Sequence, residues 1–304
     1  MESCRLTFQR ATFQLIVCLL LFLTGCQPRQ TVTLALLGDL VLGRGVDPKP
    51  DSLAYLAPNL SAADLALANL ESPLSDLLPE AEDGSYNLCA WADRADLLQA
   101  WGLDLLSIAN NHSLDCAPDG IAQTQSALSQ VGLIAITPEP VILKINGLQL
   151  AFLAFDDISA ALDGNAAAQS IRAARATGAL VVVSVHWGAE YQGGASDRQK
   201  SLAQEFTDAG ASLILGHHPH VLQPAAWIET TQGKTLVLYS LGNALFDQGG
   251  LDDTRQSALV LVTLDADGVT GVRAVPFEID VVQSRVFQPD AETAGKILDR
   301  LQIP

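Results

Sequence analysis

Hydrophobic and polar positions along the 304-residue chain follow two alternating rhythms. Apolar runs of strand length recur in TVTLALLGD (31–39), ADLALANLES (63–72) and LDLLSIANN (103–111), and each ends abruptly in polar residues. Between and after them lie segments of helical period, such as Gly120 to Val131, where Ile121, Leu128 and Val131 fall near one face. This alternation predicts an α/β fold. In VILKINGLQLAFLAF (141–155), Asn146-Gly147 separates two strand-like runs, and both residues tolerate positive φ, so a hairpin is expected and the sheet cannot be purely parallel.

Further on, the pattern predicts a helix over 160–177, the strand ALVVVSVHWG (179–188), a helix over 197–209 and the strand ASLILGHHPH (211–220). The remainder is rich in strands and has a turn at Asp267-Gly268. With no internal repeat or low-complexity stretch, residues 32–282 read as one mixed domain, and 283–304 as a short helix packing on it and ending near Leu301.

The first residues follow another logic. Arg5 and Arg10 precede nine apolar residues, Leu15 to Leu23, and then Leu23-Thr24-Gly25-Cys26. Nine residues fall short of the roughly 20 that a spanning helix wants. Residues 1–26 instead look like a bacterial lipoprotein signal, with lipidation at Cys26 and a short tether, Gln27 to Gln30. The expected location is the extracytoplasmic side of the cell membrane, through a lipid anchor. In that oxidising setting Cys89 and Cys116 are the cysteines left after processing, and they form either a disulfide or a pair of buried thiols.

Charge excludes one class of partner. Removing Glu2, Arg5 and Arg10 takes the 17 basic and 34 acidic residues to 15 and 33, a net charge of −18, so nucleic acid is not expected to bind.

The five histidines mark where chemistry collects. His112 in ANNHSLD, His186 in VVVSVHWGAEY, and His217, His218 and His220 in LILGHHPH each follow an apolar run. Groups just beyond strand carboxyl ends share one crevice in α/β sheets. Asp39 and Glu71 have the same placement, and imidazoles with carboxylates suit a divalent transition metal such as Mn, Zn or Fe, as one or two ions. His218 and His220 project to the same side if the backbone around Pro219 is extended. Asn111 would add an amide oxygen. Arg44 offers a planar fork for a carboxylate or phosphate of the ligand, or is simply a solvated arginine. Glu190 and Asp115 are candidates for orienting imidazoles, and Trp187 and Tyr191 for walling the crevice or packing in the core.

In order, GDLVLGR, ANLESPLSD, ANNHSLD, VSVHWGAEY, LGHHPHVLQ and LYSLGNALF resemble the CapA/PgsA capsule-synthesis family, associated with poly-γ-glutamate, from about Leu34 to Asp247. That family is similar in fold to calcineurin-like metallophosphoesterases. The resemblance implies a four-layer αββα sandwich with mixed sheets, metal ligands at Asp39, Glu71, Asn111, His186, His218 and His220, and a proton-donating role for His112. Two departures stand out. The phosphoesterases open with Asp-x-His where this chain has Asp39-Leu40-Val41, and Asn69 and Glu71 replace the aspartates usual in the second motif. A two-metal site, a single-metal site and a pure binding site therefore remain open.

Three functions are compatible with these residues. One is a tethered protein that helps make, export or anchor an anionic polymer such as poly-γ-glutamate, partnered by that polymer or its synthase complex. A polyanion is repelled by a chain near −18, so direct contact requires a cation or a local basic pocket. The second is a metal-dependent hydrolase of phosphoesters or of polymer amides, and the third a scaffold that has lost its metal.

Overall fold

A computed structural model describes residues 30–79, 86–231 and 233–303. The signal-like segment and Cys26 lie outside the described residues. The chain divides into residues 1–30 and a compact unit over 31–304, and the following concerns that unit.

Its first part comprises β1 (Val32–Leu40), α1 (Ala57–Leu60), β2 (Leu65–Leu70), β3 (Leu74–Ser75), β4 (Ala90–Trp91), α2 (Ala95–Ala100), β5 (Leu105–Ser107), α3 (Gly120–Gln130) and β6 (Ile134–Ile136). The hairpin β7 (Val141–Ile145) and β8 (Leu148–Asp156) leads into α4 (Gly164–Ala176), β9 (Leu180–His186), α5 (Asp197–Asp208) and β10 (Ala211–His217). The chain closes with β11 (Leu222–Thr230), β12 (Gly233–Leu241), β13 (Asn243–Leu245), β14 (Gln256–Asp265), β15 (Gly268–Asp280), β16 (Arg285–Phe287) and α6 (Ala291–Leu301).

Two mixed sheets carry the fold. The first runs β16-β15-β14-β1-β2-β5-β6, with β13 beside the end of β1, and the second runs β11-β12-β10-β9-β8-β7. Parallel strands β1-β2-β5-β6 form one side of the first sheet, out to its β6 edge, and β12-β10-β9-β8 occupy the middle of the second. The antiparallel partners lie outside them. Every residue of β9 and β10 is buried, which is why both read as unbroken apolar runs. One apolar core, including Leu34, Leu36, Phe152, Val182, Leu215 and Val260, draws on both sheets, and α6 adds Ile297 and Leu301 to it. A second core joins the first sheet to α2 and α3 through Leu98 and Leu128, and a third joins the second sheet to α4 and α5 through Ile171 and Phe206.

Local signals explain several boundaries. Asn146 (φ 49°) and Gly147 (φ 87°) make the expected tight hairpin, and Ser196 with Gln199 forms a capping box that starts α5. The pattern gave no signal for β11. Pro224 removes a ladder donor and most of its residues are half-buried, both tolerated because β11 is an edge strand.

The two sheets are stitched together where the parallel strands end. After β12 the chain turns at Gly242 (φ 64°), and Asn243 then pairs with Asp39 of β1. A Cβ at Gly38 would lie 1.8 Å from the Gly242 carbonyl oxygen, so only glycine permits this approach. The register of β1 against β2 shifts between Leu36 and Asp39 at the same point.

Candidate metal centre

Asp39, at the carboxyl end of β1, is fully buried and densely held. Its Oδ1 accepts from Asn69 Nδ2 at 2.9 Å and lies 3.2 Å from His217 Nδ1. Oδ2 accepts the backbone N–H of His218 at 3.1 Å and lies 3.4 Å from His220 Nδ1. Burial by itself would raise this carboxyl, but the hydrogen bonds and charges of His217 and His220 outweigh it and hold Asp39 well below the usual carboxylate range. Asn69 is oriented in turn by Asn110, whose Nδ2 donates to Asn69 Oδ1 at 3.2 Å.

Glu71 is equally buried and nearly unheld. Its backbone N–H donates to Leu40 O at 2.9 Å, which places it beside the end of β1. Neither carboxylate oxygen has a hydrogen-bond partner. Oε1 stands 3.6 Å from His186 Nε2 and 3.8 Å from His220 Nε2. Burial pushes the carboxyl up to about 8 against the downward pull of His220. Burial disfavours a charged His220 ring, but Glu71 and then Asp39 outweigh it and push the ring up to about 9. Burial holds His186 well below the ordinary imidazole value and His218 below it too.

Other buried polar atoms on the residues at these strand ends are also unpartnered. Asn111 Oδ1, His186 Nε2, both ring nitrogens of His217 and His218 Nδ1 are buried without a hydrogen-bond partner, as are both oxygens of Glu71. Buried polar atoms left unpaired are costly, and a divalent cation satisfies those that converge. Glu71, His218 and His220 each present a ligand atom, all within 4.8 Å of one another. An imidazole and carboxylate set of this kind fits Zn, Mn or Fe.

His218 and His220 do converge, but not through an extended backbone. Their φ values are 94° and 58°, so a left-handed turn around Pro219 aims both rings. That turn leaves the His218 N–H free to bind Asp39, and His220 Nδ1 meets Asn243 Oδ1 at 2.9 Å.

Above the cluster opens a cleft of about 520 Å³, lined by Arg44, Tyr86, Asn111, His112, Tyr191 and Phe246 among others. His112 Nδ1 lies 2.8 Å from Asp115 Oδ2, so Nε2 is the nitrogen left to act. The Asn110-Asn111-His112 turn divides its work. Asn110 accepts the His112 N–H through Oδ1 at 3.1 Å, while the oxygen of Asn111 stays unpartnered.

Arg44 lines this cleft, yet its fork is taken by Asp247 and its guanidinium lies over the Phe246 ring at 5.3 Å. Asp115 orients an imidazole, and Glu190 reaches the cleft wall without a hydrogen bond to one. Trp187 is a core residue whose Nε1 donates to Tyr239 O, whereas Tyr191 is half-exposed on the cleft. Cys89 and Cys116 form a disulfide.

Sequence reasoning gave no role to His217 or Asn243. Both were visible, one in the GHHPH run and one in the SLGNALF motif, but nothing local distinguishes them as bracing groups.

Residues 33–248 match the family described as bacterial capsule synthesis protein PGA_cap. The chain is 32% identical over 273 residues to the PGA biosynthesis protein CapA of Bacillus subtilis (strain 168), covering 80% of this chain and 70% of that protein. It is 30% identical over 286 residues to the capsule biosynthesis protein CapA of Bacillus anthracis, covering 82% and 68%. Among solved structures, a hypothetical protein from Thermus thermophilus shares the fold at a TM-score of 0.53 and 16% identity, over 81% of this chain and 99% of that one. Motifs, match and shared identity agree: this chain belongs to the PGA_cap capsule synthesis family.

Proposed function

We propose that this protein is a lipid-anchored, extracytoplasmic member of the family that serves the synthesis, export or anchoring of an anionic capsule polymer such as poly-γ-glutamate, with a divalent cation at Glu71, His186, His218, His220 and Asn111. In this reading the fold is the four-layer αββα sandwich of metallophosphoesterase type. The names of the two CapA relatives and the match to the PGA_cap family support the polymer assignment. The observation that carries the metal assignment is the pair of unpartnered, fully buried oxygens of Glu71 facing three imidazoles.

A cation also answers the charge problem. The chain carries a formal net charge of −17, and Arg44, the arginine on the cleft, is paired with Asp247. A carboxylate-rich polymer therefore gains its attraction from the metal, against a repulsive general field. The decisive measurement is retention on immobilised poly-γ-glutamate with manganese or zinc and with chelator. Retention only with metal is the expected result, and no retention under either condition would remove direct polymer binding.

The His112–Asp115 pair on the cleft favours a second reading, hydrolysis of a phosphoester or a γ-glutamyl amide. When bound, the ion supplies Lewis-acid polarisation and activation of water. His112, held at Nδ1 by Asp115, delivers a proton from Nε2 to the departing group when its ring carries both protons, and is left as the Nδ1–H form. Rates on both substrate types with metal, compared between the protein and His112→Ala, test this; equal rates would dismiss the role of His112.

A further inference from the structure

The carboxylate that fixes His112 is held from across a disulfide. Asp115 Oδ2, besides meeting His112 Nδ1, accepts the backbone N–H of Leu88 at 2.7 Å, and the Asp115 carbonyl accepts from Asn87 Nδ2 at 2.6 Å. Asn87 Oδ1 accepts the N–H of Cys89 at 2.9 Å. The bond between Cys89 and Cys116 joins these two segments one residue beyond each set of contacts, and both half-cystines are buried. Regular structure gives residues 86–89 little help, since the neighbouring β4 is two residues long and, among the described residues, pairs with β3 alone.

The same segment reaches the opposite wall of the cleft. Tyr86 and Leu88 line it directly. Gly43, just before Arg44, packs so closely on the segment that a Cβ there would lie 2.6 Å from the Cys89 carbonyl oxygen. One loop thus supports His112 through Asp115 and backs the turn that carries Arg44. Four of the metal-ligand candidates do not hang from it, since Glu71 follows β2, His186 ends β9, and His218 and His220 follow β10, whereas Asn111 adjoins His112.

We propose that formation of the Cys89–Cys116 bond is the step that assembles the His112 side of the cleft, so that the site is completed only under oxidising conditions, with Asp115 as the positioning residue. This rests on reading the cleft as the working site. In the assembling step the two thiols lose two protons and two electrons to a disulfide-type oxidant, which leaves as a dithiol, and the S–S bond forms. Before it, Glu71 and the three imidazoles are in place and the proton donor is not.

The test compares the full chain with its disulfide intact, the Cys89→Ser/Cys116→Ser double variant, and Asp115→Asn with the disulfide intact. Three readings are taken: amide hydrogen exchange, ¹⁵N shifts of labelled histidine, and bound manganese. In the double variant, exchange over 86–89 and 110–116 rises at least tenfold, β9 and β10 keep their protection, manganese is still held by Glu71 and the three imidazoles, and the single Nδ1–H signature of His112 becomes a tautomer mixture. Asp115→Asn keeps the exchange protection and loses the single signature, which a merely structural contact would not produce. If the double variant does not fold, phosphine reduction of the folded oxidised protein gives the same readings. Protection and the His112 signature surviving loss of the bond would overturn the proposal. None of these readings requires turnover, so a protein without hydrolytic activity would remove the hydrolase reading and leave this one to its own result.

Discussion

The two sheets contribute chemically different halves to one site. The first supplies acids and amides: Asp39 from β1, Asn69 and Glu71 from the end of β2, and Asn110 and Asn111 after β5. The second supplies imidazoles: His186 from β9, and His217, His218 and His220 from the end of β10 and the turn beyond it. Within the acidic half the two carboxylates differ sharply. Asp39 is saturated with partners and held ionised, whereas Glu71 is stranded and pushed toward its neutral form. Equal burial thus leaves one carboxylate held by hydrogen bonds and the other without any, and the difference lies in what the opposite sheet offers each.

Removing the held carboxylate should do the most damage. Asp39→Ala removes the acceptor of Asn69 Nδ2 and of the His218 N–H, and the negative charge that faces the rings of His217 and His220. Removing one member of a buried charged network costs about 3–5 kcal/mol. Denaturant unfolding of the metal-free protein should show a loss of that order, and a loss no larger than that of a surface substitution would end the claim that Asp39 joins the sheets.

Glu71→Gln should behave in the opposite sense. With no hydrogen bond to lose, and relief of a desolvated carboxyl set against the loss of its charge beside His220, the metal-free variant is expected to melt at or above the temperature of the parent, while bound metal falls by more than the about 10–100-fold typical of losing an outer-shell partner. A variant that is less stable without metal yet retains it would reverse the roles assigned to the two carboxylates.

The same contrast has a pH signature. Without metal, folded Glu71 holds its proton up to about 8 against an ordinary value of 4.5, and folded His220 holds its proton up to about 9 against 6.5. Both therefore bind more protons folded than unfolded, so stability is lost as pH rises through these values. His186 and His218 are shifted down and act only below their ordinary 6.5, and Asp39 acts only below 3.8. Between pH 7 and 9 the melting temperature in chelator should fall, and the increment added by manganese or zinc should grow, because a bound cation replaces both protons. A metal increment that is flat across this window would argue against a cation at Glu71 and His220.

Much of the imidazole half was legible in the sequence because its signals are local. A buried strand reads as an apolar run, and a histidine directly after it is placed by that run alone, as with His186 after LVVVSV. The Asn146-Gly147 hairpin was legible for the same reason. The distinction between Asp39 and Glu71 was not, because it depends on contacts such as His218 to Asp39, 179 residues apart. Nor was the conformation of the His218-Pro219-His220 turn, whose positive φ values are imposed by the fit against Asp39 and Asn243. β11 escaped notice because an edge strand needs neither full burial nor a complete ladder.

Asn243 gives the smallest and most selective test. It sits at the crossover between the sheets, where its Oδ1 meets His220 Nδ1 at 2.9 Å and its Nδ2 donates to Thr254 O at 2.9 Å. The first bond keeps a proton on Nδ1 and so reserves Nε2 for the Glu71 side of the cluster. Asn243→Ala should cost only about 0.5–1.5 kcal/mol per lost bond in the unfolding of the metal-free protein. Metal affinity should nonetheless drop about 10–100-fold, since the imidazole loses the partner that fixes its tautomer. Asn243→Asp separates the two contributions: it restores an acceptor for His220 without restoring the donor to Thr254, so metal affinity should recover while the stability deficit persists. Recovery of both together, or of neither, would mean that Asn243 serves the crossover alone and that the orientation of His220 has another source.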